Sequence, residues 1–484
     1  MALVGTETDR TDGGAPRARR IFCNRTLNLR SIGAIGYDMD YTLVHYRVSE
    51  WEGLAWAHVR DRLEAAGWPL DGLRYEPDRI IRGLVIDTEL GNIVKANRFG
   101  YVVEASHGTR PLEYEERRET YGRTLVELAE PRWVFLNTLF TLSESWLYAQ
   151  AVDRLDAGRI RGVHGYADLF RRLHAAVDEA HVEGTLKARI LADPARVVEP
   201  DPDAALALLD QREAGKRLLM ITNAEWPYVR RVMEFAFDPY LPAGMGWREL
   251  FELVVVQARK PEFFAHRMPL FSVTNEAGDL RPAPLGIRRP GVYLGGDAMQ
   301  VEAWLRLSGD DILFVGDHVW ADVKVSKSML RWRTALILRE LEEEIGTLDA
   351  FLDDERRLMR LMRRKERLEG RMDRTRLELQ RLDRGYGPPP AASRRRLRER
   401  LRRLEASIEA LDAEIAPLAR AASQLGNPVW GPLLRAGRDK SLLARQLEGS
   451  ADIYTSRVGN FLHATPFAFF RAPRGTLPHD RPPD

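Results

Sequence analysis

Short apolar runs rich in β-branched residues recur along the chain: SIGAIGY (31–37), RLLMIT (217–222), FELVVV (251–256), DILFVG (311–316) and TALIL (334–338). Helical patterns follow several of them, including WPYVRRVMEFAF (226–237) and VWADVKVSKSML (319–330). Apolar runs with no polar face, alternating with helices, predict an α/β fold whose parallel sheet is covered on both sides. Ligand sites in such sheets form beyond the carboxyl ends of the strands.

About 180 residues separate the first run from the second, far more than a crossover needs. They contain a strand-like piece at 82–105 and helix-like pieces near 51–66 and 166–191, so residues 48–205 read as a cap domain inserted in a core formed by 21–47 and 206–348. Residues 349–420 follow a different pattern. Leu358, Leu361, Lys365, Leu368, Met372, Thr375, Leu379 and Leu382 step by threes and fours, as do Leu397, Leu401, Leu404, Ile408, Leu411, Ile415 and Leu418. DRGYGPPPAAS (383–393) lies between the two series and must turn the chain, which predicts an antiparallel helical hairpin with a coiled-coil seam. Residues 421–473 are amphipathic and aromatic-rich and read as a helical segment packing on the core. Residues 1–20 and 474–484 read as disordered.

Composition narrows the setting. Cys23 is the single cysteine of 484 residues, so no internal disulfide framework exists and a reducing compartment is expected. The N-terminus lacks the apolar stretch of a secretory signal, and no apolar run approaches the ~20 residues of a membrane span. A cytoplasmic protein with no membrane partner is expected. The net charge of +2 conceals an asymmetry: residues 355–403 hold 19 Lys/Arg against 7 Asp/Glu. This local excess of 12 leaves the rest of the chain at about −10. The basic segment has no nucleic-acid motif and no interleaved aromatics. It therefore reads as a solvated, Arg-rich coiled coil serving homo-oligomeric assembly, with nucleic acid not an expected partner.

Four polar elements each end an apolar run: DMDYT with Asp38 and Asp40, ITN with Thr222 and Asn223, ARKPEFF with Lys260, and VGDHVWAD with Asp317 and Asp322. Two carboxylates at the mouth of a buried strand repel unless a cation offsets them. A hard divalent cation such as Mg²⁺ takes oxygen ligands, and Asp38 and Asp317, with Asp322 in support, supply them. Lys260, the Thr222 hydroxyl and nearby backbone N–H groups suit phosphoryl oxygens. A carboxylate so placed can attack phosphorus, and a second one two residues on can handle the proton.

The order DMDYTL, ITN, ARKPEFF and ILFVGDHVWADVKVSK resembles the four motifs of the haloacid dehalogenase (HAD) superfamily, and more closely the cytosolic purine 5′-nucleotidase group with its bacterial HAD-IG members. The resemblance implies a Rossmann-like parallel core with an inserted α+β cap. It implies Asp38 as nucleophile and metal ligand, and Asp40 as general acid/base with its backbone carbonyl on Mg²⁺. Thr222, Asn223 and Lys260 would then hold phosphate, Asp317 would complete the protein ligands, and Asp322 would stand beside it. AVDEAHVEGTLK (176–187) resembles the segment that reads a purine base, which implies substrate contacts from Asp178, His181 and Lys187. The implied activity is Mg²⁺-dependent hydrolysis of purine nucleoside 5′-monophosphates such as IMP or GMP through a phospho-aspartate, with phosphoryl transfer to a nucleoside as an extension. Two places depart from the pattern. His174 stands where the family carries Arg, and HGTRP with Thr109 and Arg110 replaces an aromatic-Asn pair. These departures leave a phosphatase for a non-nucleotide ester as the alternative. A non-catalytic scaffold binding a partner or nucleic acid through the Arg-rich hairpin is a further one.

Overall fold

A computed structural model describes residues 15–182, 184–473 and 475. Two compact units emerge: residues 1–342 with 433–484, and residues 343–432. The second unit is wider than the hairpin segment expected at 349–420.

The first unit is organised on a ten-stranded sheet. Seven strands run parallel in the order Ile453–Thr455, Arg333–Ile337, Ile312–Gly316, Ala34–Tyr37, Arg217–Ile221, Leu253–Val256 and Gly291–Gly295. Antiparallel strands close both edges: Phe22–Cys23 on one, Leu270–Val273 and Leu280–Pro282 on the other. Leu253–Val256, Ile312–Gly316 and Ala34–Tyr37 are buried throughout, as their unbroken apolar runs require of strands covered on both faces. Gly36 permits this closeness, because a Cβ there would meet the Phe314 ring at 2.8 Å. Helix Trp226–Phe237 covers the sheet with Tyr228, Val229, Val232, Met233, Ala236 and Phe237, a stripe of period near 3.6 residues; Pro227 opens it where a missing N–H costs nothing.

From Ala34–Tyr37 the next parallel strand lies on one side, while the later strands Ile312–Gly316 and Arg333–Ile337 lie on the other. The order therefore reverses at this strand, which makes its carboxyl end a crevice. The chain between Ala34–Tyr37 and Arg217–Ile221 carries helices Val48–Ala65, Leu142–Asp156 and Tyr166–Val182. It also carries an antiparallel five-stranded sheet in the order Arg110–Pro111, Val102–His107, Asn92–Ala96, Val85–Asp87, Trp133–Phe135.

The C-terminal segment differs from the helical reading. Among the described residues after 432 only Leu442–Ser450 is α-helical, while Ile453–Thr455 enters the main sheet beside Arg333–Ile337 and Phe469–Phe470 pairs with Leu27–Asn28. Three residues are too short a run to show strand periodicity, and the neighbouring strand supplies the pairing. Part of the N-terminal stretch expected to be disordered carries structure. Arg17–Arg19 form a 3₁₀ turn, and Arg19 bonds Asp203 at 2.7 Å; residues 1–14 and 476–484 lie outside the described residues.

In the second unit helices Leu352–Arg384 and Arg394–Ser423 pack on each other, burying Thr375, Leu397, Leu404, Leu411 and Ile415. Among the described residues no helix is long and apolar enough to cross a membrane.

Candidate active site

Asp38 leaves the central strand at the crevice, its backbone N–H donating to Val315 O of the adjacent strand at 2.9 Å. Asp317 stands one residue beyond that adjacent strand. Asp322 lies in the π-helical turn Val319–Lys324 that follows, and such turns concentrate at functional sites. Ligand oxygens of Asp38, Asp317 and Asp322 all lie within 4.8 Å of one another.

Lys260 reaches into this cluster from the loop after Leu253–Val256. Its Nζ stands 2.8 Å from Asp38 Oδ1 and 2.7 Å from Asp322 Oδ1, with the side chain only 2% exposed. Burial works against the Lys260 charge, but Asp322 and Asp38 prevail and raise its pKa. Asn223, expected to hold phosphate, bonds the backbone of Lys260: its Oδ1 accepts from Lys260 N at 2.7 Å and its Nδ2 donates to Lys260 O at 3.1 Å. Its carboxamide thus holds the lysine loop. Thr222 is buried, and its Oγ1 accepts from Ala224 N at 3.1 Å, which leaves the hydroxyl proton available to an acceptor.

The free oxygens can be read off these contacts. Asp38 Oδ1 also accepts from Met39 N at 2.8 Å, so Oδ2 is the uncommitted oxygen among the described contacts. Asp317 Oδ2 accepts from Thr138 Oγ1 at 3.0 Å, leaving Oδ1. Asp322 is more fully engaged, with Oδ1 on Lys260 and Oδ2 on His318 N at 3.1 Å. Burial pushes the Asp38 carboxyl up to about 6, Lys260 opposing and Asp322 adding to the rise. Asp317 is also raised, by burial first and then by Asp322 and Asp38. Three carboxylates facing one lysine form a site short of positive charge.

Asp40 lies one turn along, and its Oδ1 accepts a short hydrogen bond from Tyr46; the Tyr46 hydroxyl lies 3.1 Å from that of Tyr228. Burial pushes Asp40 up to about 6 against the Tyr46 hydrogen bond. Arg82 completes the surroundings and was not legible in the sequence. It is fully buried, donates to Asp317 O at 3.1 Å and is paired bidentately with Glu340. Its charge is therefore already balanced, and it serves to hold the Asp317 backbone. Thr138, Tyr46 and Tyr228 were also missed; an Arg or Tyr in the middle of an apolar stretch is the only local signal they leave.

The residues expected to contact a base are less gathered. Lys187 Nζ lies 3.3 Å from Glu225 Oε1 and 5.7 Å from the centre of the Tyr228 ring, at the Asp40 side of the site. Asp178 is exposed and 3.8 Å from His174 Nε2. The side chain of His181 lies outside the described residues. The departing residues have local partners: His174 pairs with Glu144 at 2.6 Å, Thr109 with Asp153 at 2.6 Å, and Arg110 with both oxygens of Glu116.

A family model described as the 5′ nucleotidase family matches residues 21–482. A 5′-nucleotidase domain-containing protein of Dictyostelium discoideum is 25% identical over 485 aligned positions, covering 95% of this chain and 74% of that one. Human 5′-nucleotidase domain-containing protein 2 is 30% identical over 348 positions, 68% of this chain and 64% of its own length. Human 5′-nucleotidase domain-containing protein 1 is 27% identical over 348 positions, covering 66% and 74%.

Proposed function

The chain belongs to the 5′-nucleotidase family and is a phosphoric monoester hydrolase, and from that premise we propose that its core is of HAD type and that it hydrolyses purine nucleoside 5′-monophosphates, IMP and GMP among them, through a phospho-aspartate on Asp38. The observation that carries the reading is the uncommitted Oδ2 of Asp38 beside Lys260 and two further carboxylates at the switch point of the sheet.

Asp38 Oδ2 forms a bond to phosphorus as the ester P–O bond breaks. The leaving alkoxide takes a proton from Asp40 through Oδ2, the oxygen not held by Tyr46. Water then loses a proton to Asp40 and attacks phosphorus, which releases phosphate and frees Asp38. Lys260 and the Thr222 hydroxyl hold phosphoryl oxygens. The donor set fits Mg²⁺: all-oxygen, crowded and short of positive charge. Asp38, Asp317 and the Asp40 carbonyl would hold the ion, with Asp322 in support, and when bound it neutralises charge on the phosphoryl group. Transfer of phosphate to a nucleoside is the corresponding reaction with another acceptor.

Support for a purine substrate is the resemblance of 176–187 and the placement of Lys187 beside Tyr228. The engagement of Thr109, Arg110 and His174 with local carboxylates favours a second reading, a non-nucleotide phosphate ester. A cytoplasmic, homo-oligomeric protein is proposed on the free Cys23 and the helical hairpin; light scattering of the full chain measures the assembly.

One assay tests the central claim. Wild type is expected to release phosphate from IMP or GMP only with Mg²⁺, and Asp38→Asn to lose turnover by about a thousandfold or more. Near-normal turnover by Asp38→Asn would remove Asp38 as nucleophile. Turnover of sugar phosphates with none of IMP, GMP or AMP would select the second reading.

A further inference from the structure

The two long helices of the second unit sort their charges by face. On helix Leu352–Arg384, Arg357, Arg360, Arg364, Arg367, Arg371 and Arg374 step by threes and fours, each one residue before a seam position. This spacing places them in a single file down one flank of the helix, about 25 Å long with a guanidinium about every 5 Å. All six are exposed. Among the described residues none of the six has an acidic partner; Arg374 Nε donates to the Gly370 carbonyl instead.

The return helix runs antiparallel. Lys365 pairs with Asp412, Arg376 with Glu405, Glu378 with Arg400 and Asp383 with Arg394, so partners fall on one helix as they rise on the other. In that arrangement the residues preceding the seam share one side of the hairpin. The Glu378–Arg400 pair, both members preceding a seam residue, crosses on that side. Arg396 and Arg403 precede Leu397 and Leu404 and lie on the same side, exposed. Acids are fewer on that side: Glu378, paired with Arg400, and Glu414 precede seam residues, whereas Glu366, Glu369 and Asp373 each follow a seam position of the first helix, on the opposite side.

We infer that this arginine ladder is a docking surface for the phosphodiester backbone of nucleic acid. A straight run of evenly spaced like charges suits a partner whose opposite charges are equally regular. Guanidinium is the group that grips phosphate through paired donors, and no lysine interrupts the file. The file holds no aromatic residue to stack on bases and no apolar side chain to enter a bilayer, so binding is to the backbone and independent of sequence. The expectation of a solvated coiled coil rested on the absence of a nucleic-acid motif and of interleaved aromatics, neither of which a contact to the phosphate backbone alone requires.

The test uses the full chain and labelled single-stranded RNA, single-stranded DNA and duplex DNA, titrated from about 0.05 M salt upward. Binding with a log–log salt slope near −4, about 0.7 for each of six phosphate contacts, supports the ladder. Arg360→Gln, Arg364→Gln, Arg367→Gln and Arg371→Gln combined are expected to weaken binding by more than about tenfold and to cut the slope to about −1.5. An equal-charge control, Arg363→Gln, Arg384→Gln, Arg398→Gln and Arg402→Gln, removes exposed arginines outside the file and is expected to bind close to wild type. Phosphate release unchanged in both variants shows that they are folded; if the ladder variant loses it, the wild-type slope and the control decide. No binding at the lowest salt, equal loss in both variants, or binding confined to acidic lipid vesicles overturns the proposal. So does a change of oligomer mass in the ladder variant without any nucleic-acid binding.

Discussion

Asp40 has one oxygen held by Tyr46, and the Tyr46 hydroxyl in turn meets that of Tyr228. A general acid must present its proton to the leaving oxygen in one orientation, and this hydrogen bond selects it. Tyr46→Phe is expected to lower kcat for a nucleoside monophosphate about tenfold with little change in KM, and to leave an aryl phosphate with a good leaving group nearly unaffected. Equal loss on both substrates would mean that Tyr46 only supports the fold. The carboxylates and Lys260 were legible as residues, since each polar group closes an apolar run. Their partners were not. Arg82 reaches Asp317 across 235 positions of chain, and nothing near Arg82 in sequence announces that contact. Asn223 shows the converse: the motif was visible, but its contact with the Lys260 backbone depends on where two loops meet.

The turn after Ile312–Gly316 owes its shape to a missing side chain. A Cβ on Gly316 would run into the Asp322 carboxylate and its Cβ. Gly316→Ala is expected to displace Asp322 from Lys260, lowering kcat by tenfold or more and stability by about 1–3 kcal/mol; wild-type values for both kcat and the denaturant midpoint would contradict the packing. Elements with strong periodicity were readable in advance, helix Trp226–Phe237 and the core strands foremost. Strand Ile453–Thr455 was not, because a three-residue strand is stabilised by its neighbour rather than by its own pattern.

At the scale of the molecule, the C-terminal segment is tied to the core through ion pairs, the part-buried Glu342–Arg457 and those of the buried Asp452 with Lys327 and Arg333. Burial opposes the charge of Glu342, yet hydrogen bonds from Arg457 and Ser456 hold its carboxyl down at about 2, against 4.5 ordinarily. Asp452, bonded by Lys327 and Arg333, is also lowered. A carboxyl depressed on folding stabilises the fold fully above its ordinary pKa, and that contribution is lost as pH falls toward the folded value. For Glu342 this is of order 3 kcal/mol, lost between about pH 4.5 and 2. Glu342→Gln should therefore flatten the fall of unfolding free energy with pH in that window; an unchanged slope would exclude the contribution. The sequence by itself determined the α/β class, the order of the four chemical elements and the amphipathic helices, because each is written in the spacing of neighbouring residues. Only the tertiary structure decided which oxygens stay free in the carboxylate cluster, which tyrosine holds Asp40, where the last parallel strand lies and which face carries the arginines. Those outcomes depend on contacts between residues far apart in the chain, and local periodicity carries no record of such partners.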